Sequence, residues 1–145
     1  MPRHLVLGNG RMLVNFDAEL NMRDLYFPRV GLFNHILGHR NALGAWVEGR
    51  FAWVHGEGWT RSIDYLGDTL VSKVRAEHRG LGLRLDIKDA VHHRENLFLK
   101  QLVVTNLSER QREVRIFFTH DFCIDESDIG DTSLYDPATD AIIHY

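Results

Sequence analysis

The stretch "LGLRLDIKDAV", residues 81–91, decides the fold class of this chain. Every second residue from Leu81 to Ile87 is Leu or Ile, whereas every second residue from Arg84 to Lys88 is charged. Because successive side chains of a β-strand point to opposite faces, this period of two predicts a strand with one buried and one exposed face. The stretch therefore indicates a β-sheet that packs on a core along one side.

The neighbouring stretches predict that this strand belongs to an antiparallel sheet. "TLVSKVRAEHRG", residues 69–80, alternates in the same way, and the glycines of "RGLG", residues 79–82, suit a hairpin turn between the two runs. "LFLKQLVVTN", residues 97–106, carries apolar side chains on both faces, which is typical of a central strand covered on both sides. The polar segment "NLSERQR" then predicts a second hairpin, from this strand to "EVRIFFTHDF", residues 113–122.

The N-terminal third and the C-terminal end also have the pattern of short strands between turns. The predicted strands are "HLVL", "RMLVNF", "MRDLYF", the two arms of "GAWVEGRFAWV" on either side of Gly49, and "AIIHY" at residues 141–145. No segment has the sustained 3.6-residue hydrophobic period of an amphipathic helix. Many short strands with glycine-rich turns predict an all-β fold, an antiparallel β-sandwich of two packed sheets.

Length and composition indicate one domain and exclude several classes of protein. The chain has 145 residues, 44% of them hydrophobic, which suffices for one domain with its own core. Its 17 Lys and Arg and 20 Asp and Glu residues are interspersed, so we expect no nucleic-acid partner. The opening lacks a secretory signal, no apolar run is long enough to cross a membrane, and Cys123 is the single cysteine. We therefore expect a cytoplasmic location and no membrane partner.

The sequence gives no strong signal for a metal, a cofactor or a catalytic residue. His92 and His93 are adjacent on a predicted strand, where they would point to opposite faces and could not chelate one ion. The acidic run lacks the spacing of a calcium loop and indicates a solvated loop; its carboxylates are Asp121, Asp125, Glu126, Asp128 and Asp131. "GNGR", residues 8–11, lacks the third glycine and the helix of a dinucleotide fingerprint. We expect no catalytic residue, no metal and no cofactor.

The three tryptophans have two interpretations. Trp46, Trp53 and Trp59 lie in or beside predicted strands, where tryptophan commonly fills a sandwich core. An aromatic platform for the apolar face of a sugar ring is the alternative, because a pyranose stacks on such rings. Burial in the core is the favoured interpretation at this point.

An apolar loop at residues 26–35 raises the question of a binding partner. "YFPRVGLFNH", residues 26–35, is rich in aromatic and aliphatic side chains, yet Pro28 and Gly31 interrupt any strand or helix. A loop of this kind either covers the core of its own domain or docks against a second domain. Both alternatives stay open from the residues alone.

Four stretches in the same order carry a resemblance to a known family. "LGNGRMLVNFD", "RDLYFPRVGLFNH", "TNLSERQREVRIFFTHDF" and "GDTSLYDPATDAIIHY" resemble the N-terminal domain of bacterial glycoside hydrolase family 15 proteins, the glucoamylase, glucodextranase and trehalase-like group. In that family the region is a β-sandwich of the galactose-mutarotase-like type, a supersandwich, followed by an (α/α)₆ barrel that holds both catalytic glutamates. The resemblance spans about Leu5 to Tyr145.

This resemblance implies a non-catalytic accessory domain of an inverting glycosidase that acts on α-glucans. It implies that residues 1–145 are the N-terminal β-sandwich domain, that this supersandwich is truncated, and that the catalytic barrel of the same polypeptide is absent from this chain. The barrel is then the expected partner, and we expect the interdomain contact to use side chains of two loops. They are Tyr26, Phe27, Arg29, Phe33, Asn34, His35, Leu134 and Tyr135.

Two other functions and one further partner remain open. The first is a carbohydrate-binding module, which would bind glucans through Trp46, Trp53 and Trp59. The second is a sugar epimerase of the mutarotase type, which would need a histidine and a carboxylate in one cleft. The isolated chain is also expected to form a homodimer, either by strand-edge pairing at residues 141–145 or through the aromatic loop at residues 26–35.

Overall fold

The computed structural model describes residues 3–127 and 129–145, and these residues form an all-β fold. The strands are β1 (Leu5–Gly8), β2 (Leu13–Phe16), β3 (Met22–Tyr26), β4 (Ala42–Val47), β5 (Arg50–Trp53), β6 (Trp59–Tyr65), β7 (Ser72–His78), β8 (Leu83–Val91), β9 (Phe98–Asn106), β10 (Val114–Thr119), β11 (Ser133–Asp136) and β12 (Ala141–His144). The helical content of the described residues is one 3₁₀ turn, Ile124–Glu126. The predicted all-β class is confirmed.

The strands form four antiparallel sheets. The N-terminal sheet has the order β1-β2-β3, and the long sheet has the order β6-β7-β8-β9. A third sheet has the order β10-β4-β5, and β11 and β12 form a C-terminal hairpin. Every pairing is antiparallel, as the sequence predicts.

The core lies between the inner faces of these sheets, which gives the fold its sandwich-like character. The alternating residues of β8 are buried as predicted, with Leu83 and Leu85 fully inaccessible to solvent. Leu7 and Val14 from the N-terminal sheet and Val47 from β4 join the same buried cluster. Burial of such aliphatic side chains stabilises each by about 1.5–3 kcal/mol relative to exposure.

Two predicted hairpins are confirmed, and the turn of the second shows its local cause. β7 pairs with β8 from Val74 opposite Ile87 to His78 opposite Leu83. β4 pairs with β5 across a two-residue turn in which Glu48 has a φ of 48° and Gly49 a φ of 84°. Positive φ at both positions is the geometry of the tight turns that match strand twist.

The predicted position of residues 97–106 was wrong. We expected a central strand with a hairpin to residues 113–122, but β9 is the edge strand of the long sheet and pairs with β8. β10 leaves that sheet and pairs with β4, so that Phe118 lies opposite Leu43. The alternation of apolar residues indicates which faces are apolar, but a pairing between residues 67 to 77 positions apart has no local signal in the sequence.

The geometry expected for the two adjacent histidines was also wrong. β8 ends at Val91, so His92 and His93 follow the strand, and their ring centroids lie 4.6 Å apart. The argument that strand geometry separates them therefore does not hold. Within residues 3–127 and 129–145, no group of three or more His, Cys, Asp or Glu side chains is arranged to hold a metal ion.

A search of the described residues for membrane-spanning helices found no helix with the length and apolar character that crossing requires.

Candidate functional site

The loop at residues 26–35 is fastened to its own domain by the side chain of Asn34. Asn34 Oδ1 accepts hydrogen bonds from the backbone N–H groups of Leu25, at 3.1 Å, and Ile36, at 3.2 Å. Its Nδ2 donates to Asp24 Oδ1 at 2.9 Å. Asn34 is buried, so its polar atoms serve the loop itself. The residue expected as a polar anchor for a partner has an internal structural role.

His35 fastens the second half of the same loop. Its Nε2 lies 2.8 Å from the carbonyl oxygen of Phe27, and its Nδ1 lies 3.1 Å from the backbone nitrogen of Asp125. An N–H at Nε2 and a lone pair at Nδ1 satisfy both contacts, which assigns the neutral tautomer. The His35 carbonyl also accepts from the backbone N–H of Cys123 at 2.9 Å. The loop is therefore clamped onto residues 123–126.

Beneath the loop, Asp24 is the centre of a buried polar cluster. Arg3 donates two hydrogen bonds to its carboxylate, and Asn15 and Asn34 donate one each. Burial by itself raises the pKa of Asp24, but these hydrogen bonds and the Arg3 charge together outweigh it and hold the pKa below its usual range. Asp24 is therefore ionised at neutral pH and positions the base of the loop.

An apolar groove of about 400 Å³ runs beside the clamped loop. Side chains from four segments line it: Met12, Leu25, Phe27, His35, Phe122, Ile124, Asp125 and His144. On the same loop, Val30 and Leu32 are exposed apolar residues, with 46% and 50% of their surfaces accessible. Exposed apolar area next to a concave apolar groove is typical of a surface that receives a partner.

The remaining residues of the expected interdomain contact differ in their exposure to solvent. Tyr26, Phe27 and Phe33 are half-buried, and Arg29 is exposed. On β11, Leu134 and Tyr135 are 42% and 60% exposed. The Tyr135 hydroxyl donates to Asp140 Oδ1 at 2.7 Å, which orients the ring within the C-terminal hairpin.

The tryptophans divide between the core and an exposed sheet face. Trp59 is 7% exposed and packs in the core, so it offers no surface to a sugar. Trp46 and Trp53 lie on the outer face of β4 and β5 together with Phe51, and Phe117 of β10 completes the group, which we call the aromatic face. The Phe51 ring lies nearly perpendicular to the rings of Trp53 and Phe117, with distances between ring centroids of 4.7 Å and 5.6 Å.

Gly44 makes the close packing of the aromatic face possible. It occupies the outer position of β4 between the rings, opposite Trp53. A Cβ at this position would lie 2.6 Å from Phe51 Cζ and 2.9 Å from Trp53 Cε3, which is closer than carbon atoms approach. At the end of the face the Arg115 guanidinium lies 4.9 Å from the centroid of Trp46, a cation–π contact.

Three carboxylates of the acidic run make hydrogen bonds within the chain. Asp131 accepts from the backbone N–H of Ile124, and Glu126 Oε1 accepts from the backbone N–H of Asn34 at 2.8 Å. Asp121 Oδ1 lies 3.0 Å from His39 Nδ1. Asp128, also part of that run, lies outside the described residues.

The sequence analysis did not predict the apolar groove, because the side chains that line it come from segments up to 132 residues apart, from Met12 to His144.

Comparisons of the chain with protein-family models, with curated proteins and with solved structures found no match.

Proposed function

We propose that this chain is an accessory β-sandwich domain of an α-glucan-acting, inverting glycosidase of the glucoamylase-like group, in which it packs against and supports a catalytic (α/α)₆ barrel of the same polypeptide. The proposal rests on the sequence resemblance and on the surface beside the loop at residues 26–35. It includes the supersandwich type of fold and a cytoplasmic location.

The observation that carries the proposal is the apolar groove next to a clamped loop. Asn34 and His35 satisfy their own polar atoms within the chain, so the loop holds its shape without a partner. A surface that is already ordered loses little conformational entropy on docking. Phe27, Val30 and Leu32 then supply the apolar area that a domain interface requires.

The first test reads the gene downstream of the Tyr145 codon. We expect an open frame that continues into a helical-repeat barrel. A stop codon directly after Tyr145 contradicts the proposal.

A pure preparation of the isolated chain should release no glucose from maltose or starch above a buffer blank. The hydrolysing carboxylate pair of such enzymes must flank the bound sugar, and the resemblance places that pair in the barrel. Glucose release by the chain alone contradicts an accessory role.

The second test measures docking directly. The barrel encoded by the downstream frame is produced separately, and its binding to this chain is followed by calorimetry. Leu32→Ser should weaken binding by about tenfold or more, because it removes an exposed apolar side chain from the proposed interface. Leu70→Ser is the matched control, since Leu70 is 58% exposed on a loop between β6 and β7. Equal effects of both variants would contradict docking at this loop.

A carbohydrate-binding module is the second candidate function, and the aromatic face favours it. Trp46 and Trp53 lie outward on one sheet, where sugar rings could stack. If docking is the function, titration with maltooligosaccharides at millimolar concentration should leave the tryptophan fluorescence unchanged. Saturable quenching that Trp46→Ala abolishes would favour the binding module instead.

A further inference from the structure

The turn that holds the loop at residues 26–35 has a backbone conformation that depends on support from its surroundings. Asp125 and Glu126 have φ angles of 55° and 57°, so two consecutive non-glycine residues adopt the left-handed conformation. Steric contact between Cβ and the backbone makes this conformation unfavourable for such residues, and it persists only where neighbouring groups hold it. The conformation of the turn therefore follows from the contacts made to it.

Hydrogen bonds join this turn to the loop, and one of them depends on the charge of a histidine. The backbone N–H of Cys123 donates to the His35 carbonyl oxygen at 2.9 Å, and the backbone N–H of Asn34 donates to Glu126 Oε1 at 2.8 Å. A further bond runs from the Asp125 backbone N–H to His35 Nδ1 at 3.1 Å. This bond supports the first left-handed residue directly, and it requires a lone pair on Nδ1.

Protonation of His35 removes that acceptor. The other ring nitrogen, Nε2, lies 2.8 Å from the Phe27 carbonyl oxygen and donates to it, so the proton of the neutral ring is on Nε2. A second proton can enter only at Nδ1, where its N–H would point at the backbone N–H of Asp125. His35 is 7% exposed, so water does not replace the lost bond while the loop stays closed. The charged ring is therefore incompatible with the closed contact.

Ionisable groups from several segments lie around this contact. They are Asp125 and Glu126 of the turn, His144 at the end of β12, and the paired Asp24 and Arg3 beneath the loop. The two carboxylates of the turn favour a positive charge on the His35 ring, whereas burial and a charged His144 oppose it. Imidazole side chains ordinarily change charge between about pH 5 and 8, which sets the range in which the contact is tested.

We propose that His35 is a pH-sensitive clamp on the apolar groove: the neutral ring holds the loop at residues 26–35 against residues 123–126, and the protonated ring releases it. The groove is lined from both sides of this contact, by Phe27 and His35 on the loop and by Ile124 and Asp125 on the turn. Separation of the two sides therefore changes the shape of the groove. The inference rests on the proposed function, in which this groove receives the barrel, and it adds that acid weakens docking.

The first experiment follows the isolated ¹⁵N-labelled chain by NMR from about pH 7.5 to about pH 5 at constant ionic strength. The chemical shifts of the ring nitrogens report protonation of His35, and the hydrogen-exchange protection of the Asp125 amide reports its bond to Nδ1. We expect both to change with the same midpoint. A His35 ring that stays neutral throughout, or an Asp125 amide that keeps its protection after the ring is charged, overturns the proposal.

Three variants assign the transition to one histidine. His35→Gln keeps a side-chain donor and acceptor but does not titrate, so the Asp125 amide should keep the same protection at both ends of the pH range. His144→Gln removes the other histidine that lines the groove, and His4→Gln removes an exposed one; both should retain the transition. Loss of the transition in His144→Gln overturns the proposal, and so does an unchanged transition in His35→Gln. The His144→Gln result decides the assignment even where His35→Gln does not fold.

The second experiment measures whether the clamp regulates docking. Binding of the separately produced barrel is followed by calorimetry at about pH 7.5 and about pH 5.5. We expect the wild-type chain to bind at least about fivefold more weakly at the lower pH, and His35→Gln to show a smaller dependence. An equal dependence in both chains overturns the regulation of docking by His35. A barrel that binds at neither pH contradicts the proposed function instead, and the NMR experiment on the isolated chain then decides whether the clamp exists.

Discussion

Asp24 shows how one buried carboxylate organises the N-terminal part of the fold. Its carboxylate accepts hydrogen bonds from Arg3 near the N-terminus, from Asn15 on β2 and from Asn34 in the loop at residues 26–35. Three separate segments therefore depend on one charge. Hydrogen bonds to a charged group each contribute about 1.5–3 kcal/mol to stability. Arg3 keeps 34% of its side chain exposed, so part of the ion pair is weakened by solvent. The amide donors of Asn15 and Asn34 therefore carry much of the effect.

Replacing Asp24 with Asn should destabilise the chain by about 1–3 kcal/mol at neutral pH, measured by urea unfolding. The pKa of Asp24 is lowered by folding, so its ionisation stabilises the fold above the unfolded pKa of about 3.9 and ceases to do so as the pH falls through the lower folded pKa. The difference between wild type and variant should therefore shrink in acid. Asp68→Asn, on an exposed loop, should change stability little at any pH.

Gly44 permits a test of the aromatic face at the same scale. Gly44→Ala inserts a Cβ into space filled by Phe51 and Trp53, and such overpacking costs about 1–3 kcal/mol. We expect this loss in urea unfolding together with an altered near-ultraviolet circular dichroism spectrum, because both rings must move. Ala45→Gly, at the neighbouring buried position, is the contrasting variant and should leave the aromatic signals in place. An unchanged spectrum for Gly44→Ala would contradict the packing described.

Among the elements, β9 combines an exposed apolar face with a charge that points inward. Lys100 faces the core side, and its Nζ lies 2.5 Å from Asp89 Oδ1 on β8 and over the rings of Phe16 and Phe98. Burial raises the pKa of Asp89, and the Lys100 charge offsets this only in part. An inward-pointing charge on an edge strand also opposes uncontrolled strand addition.

Lys100→Met should destabilise the chain by about 3–5 kcal/mol at neutral pH, because it leaves the buried Asp89 without its cation. The pKa of Asp89 is higher in the folded than in the unfolded chain. Protonation of Asp89 therefore stabilises the fold at pH values below the unfolded pKa, and this contribution disappears as the pH rises through the folded pKa. The defect of Lys100→Met should therefore decrease on acidification. The double variant Asp89→Leu with Lys100→Met should recover much of the loss in thermal unfolding; no recovery would contradict this account.

The same strand shows how far the sequence predicts the fold. Alternation predicted β7 and β8 because one face of each is buried, and that pattern is local. The two apolar faces of β9 predicted a central strand, yet Leu99 and Val103 lie on an uncovered outer face. For the site, the sequence singled out the loop at residues 26–35. It did not predict that Asn34 and His35 bond inward. The side-chain partners of Asn34 lie within ten positions, but such bonds leave no periodic pattern in the sequence, and the Asp125 backbone that donates to His35 is 90 positions away.

At the scale of the whole molecule, two strand edges coincide with exposed apolar side chains. β9 pairs on one side with β8, and within the described residues its other edge has no neighbouring strand. Its outer face exposes Leu99 and Val103, the latter with 52% of its surface accessible, and Leu97 just before the strand is also exposed. β12 pairs only with β11 in the described part of the chain, and Ile142 is 61% exposed. Edges of this kind recruit further strands.

We expect the isolated chain to self-associate, with a symmetric dimer favoured over an open chain because an isologous contact closes on itself. Val103→Lys should shift the equilibrium toward monomer if β9 forms the contact, since it sets two like charges into the interface. Deletion of residues 141–145 should do so if β12 forms it, and combined Phe27→Ser and Phe33→Ser if the aromatic loop does. Leu70→Lys adds the same charge on a distant loop and should have no effect. Light scattering that shows a monomer at high micromolar concentration would reject all three contacts, and would mean that the inward-pointing Lys100 and the twist of the edges suffice to prevent strand addition.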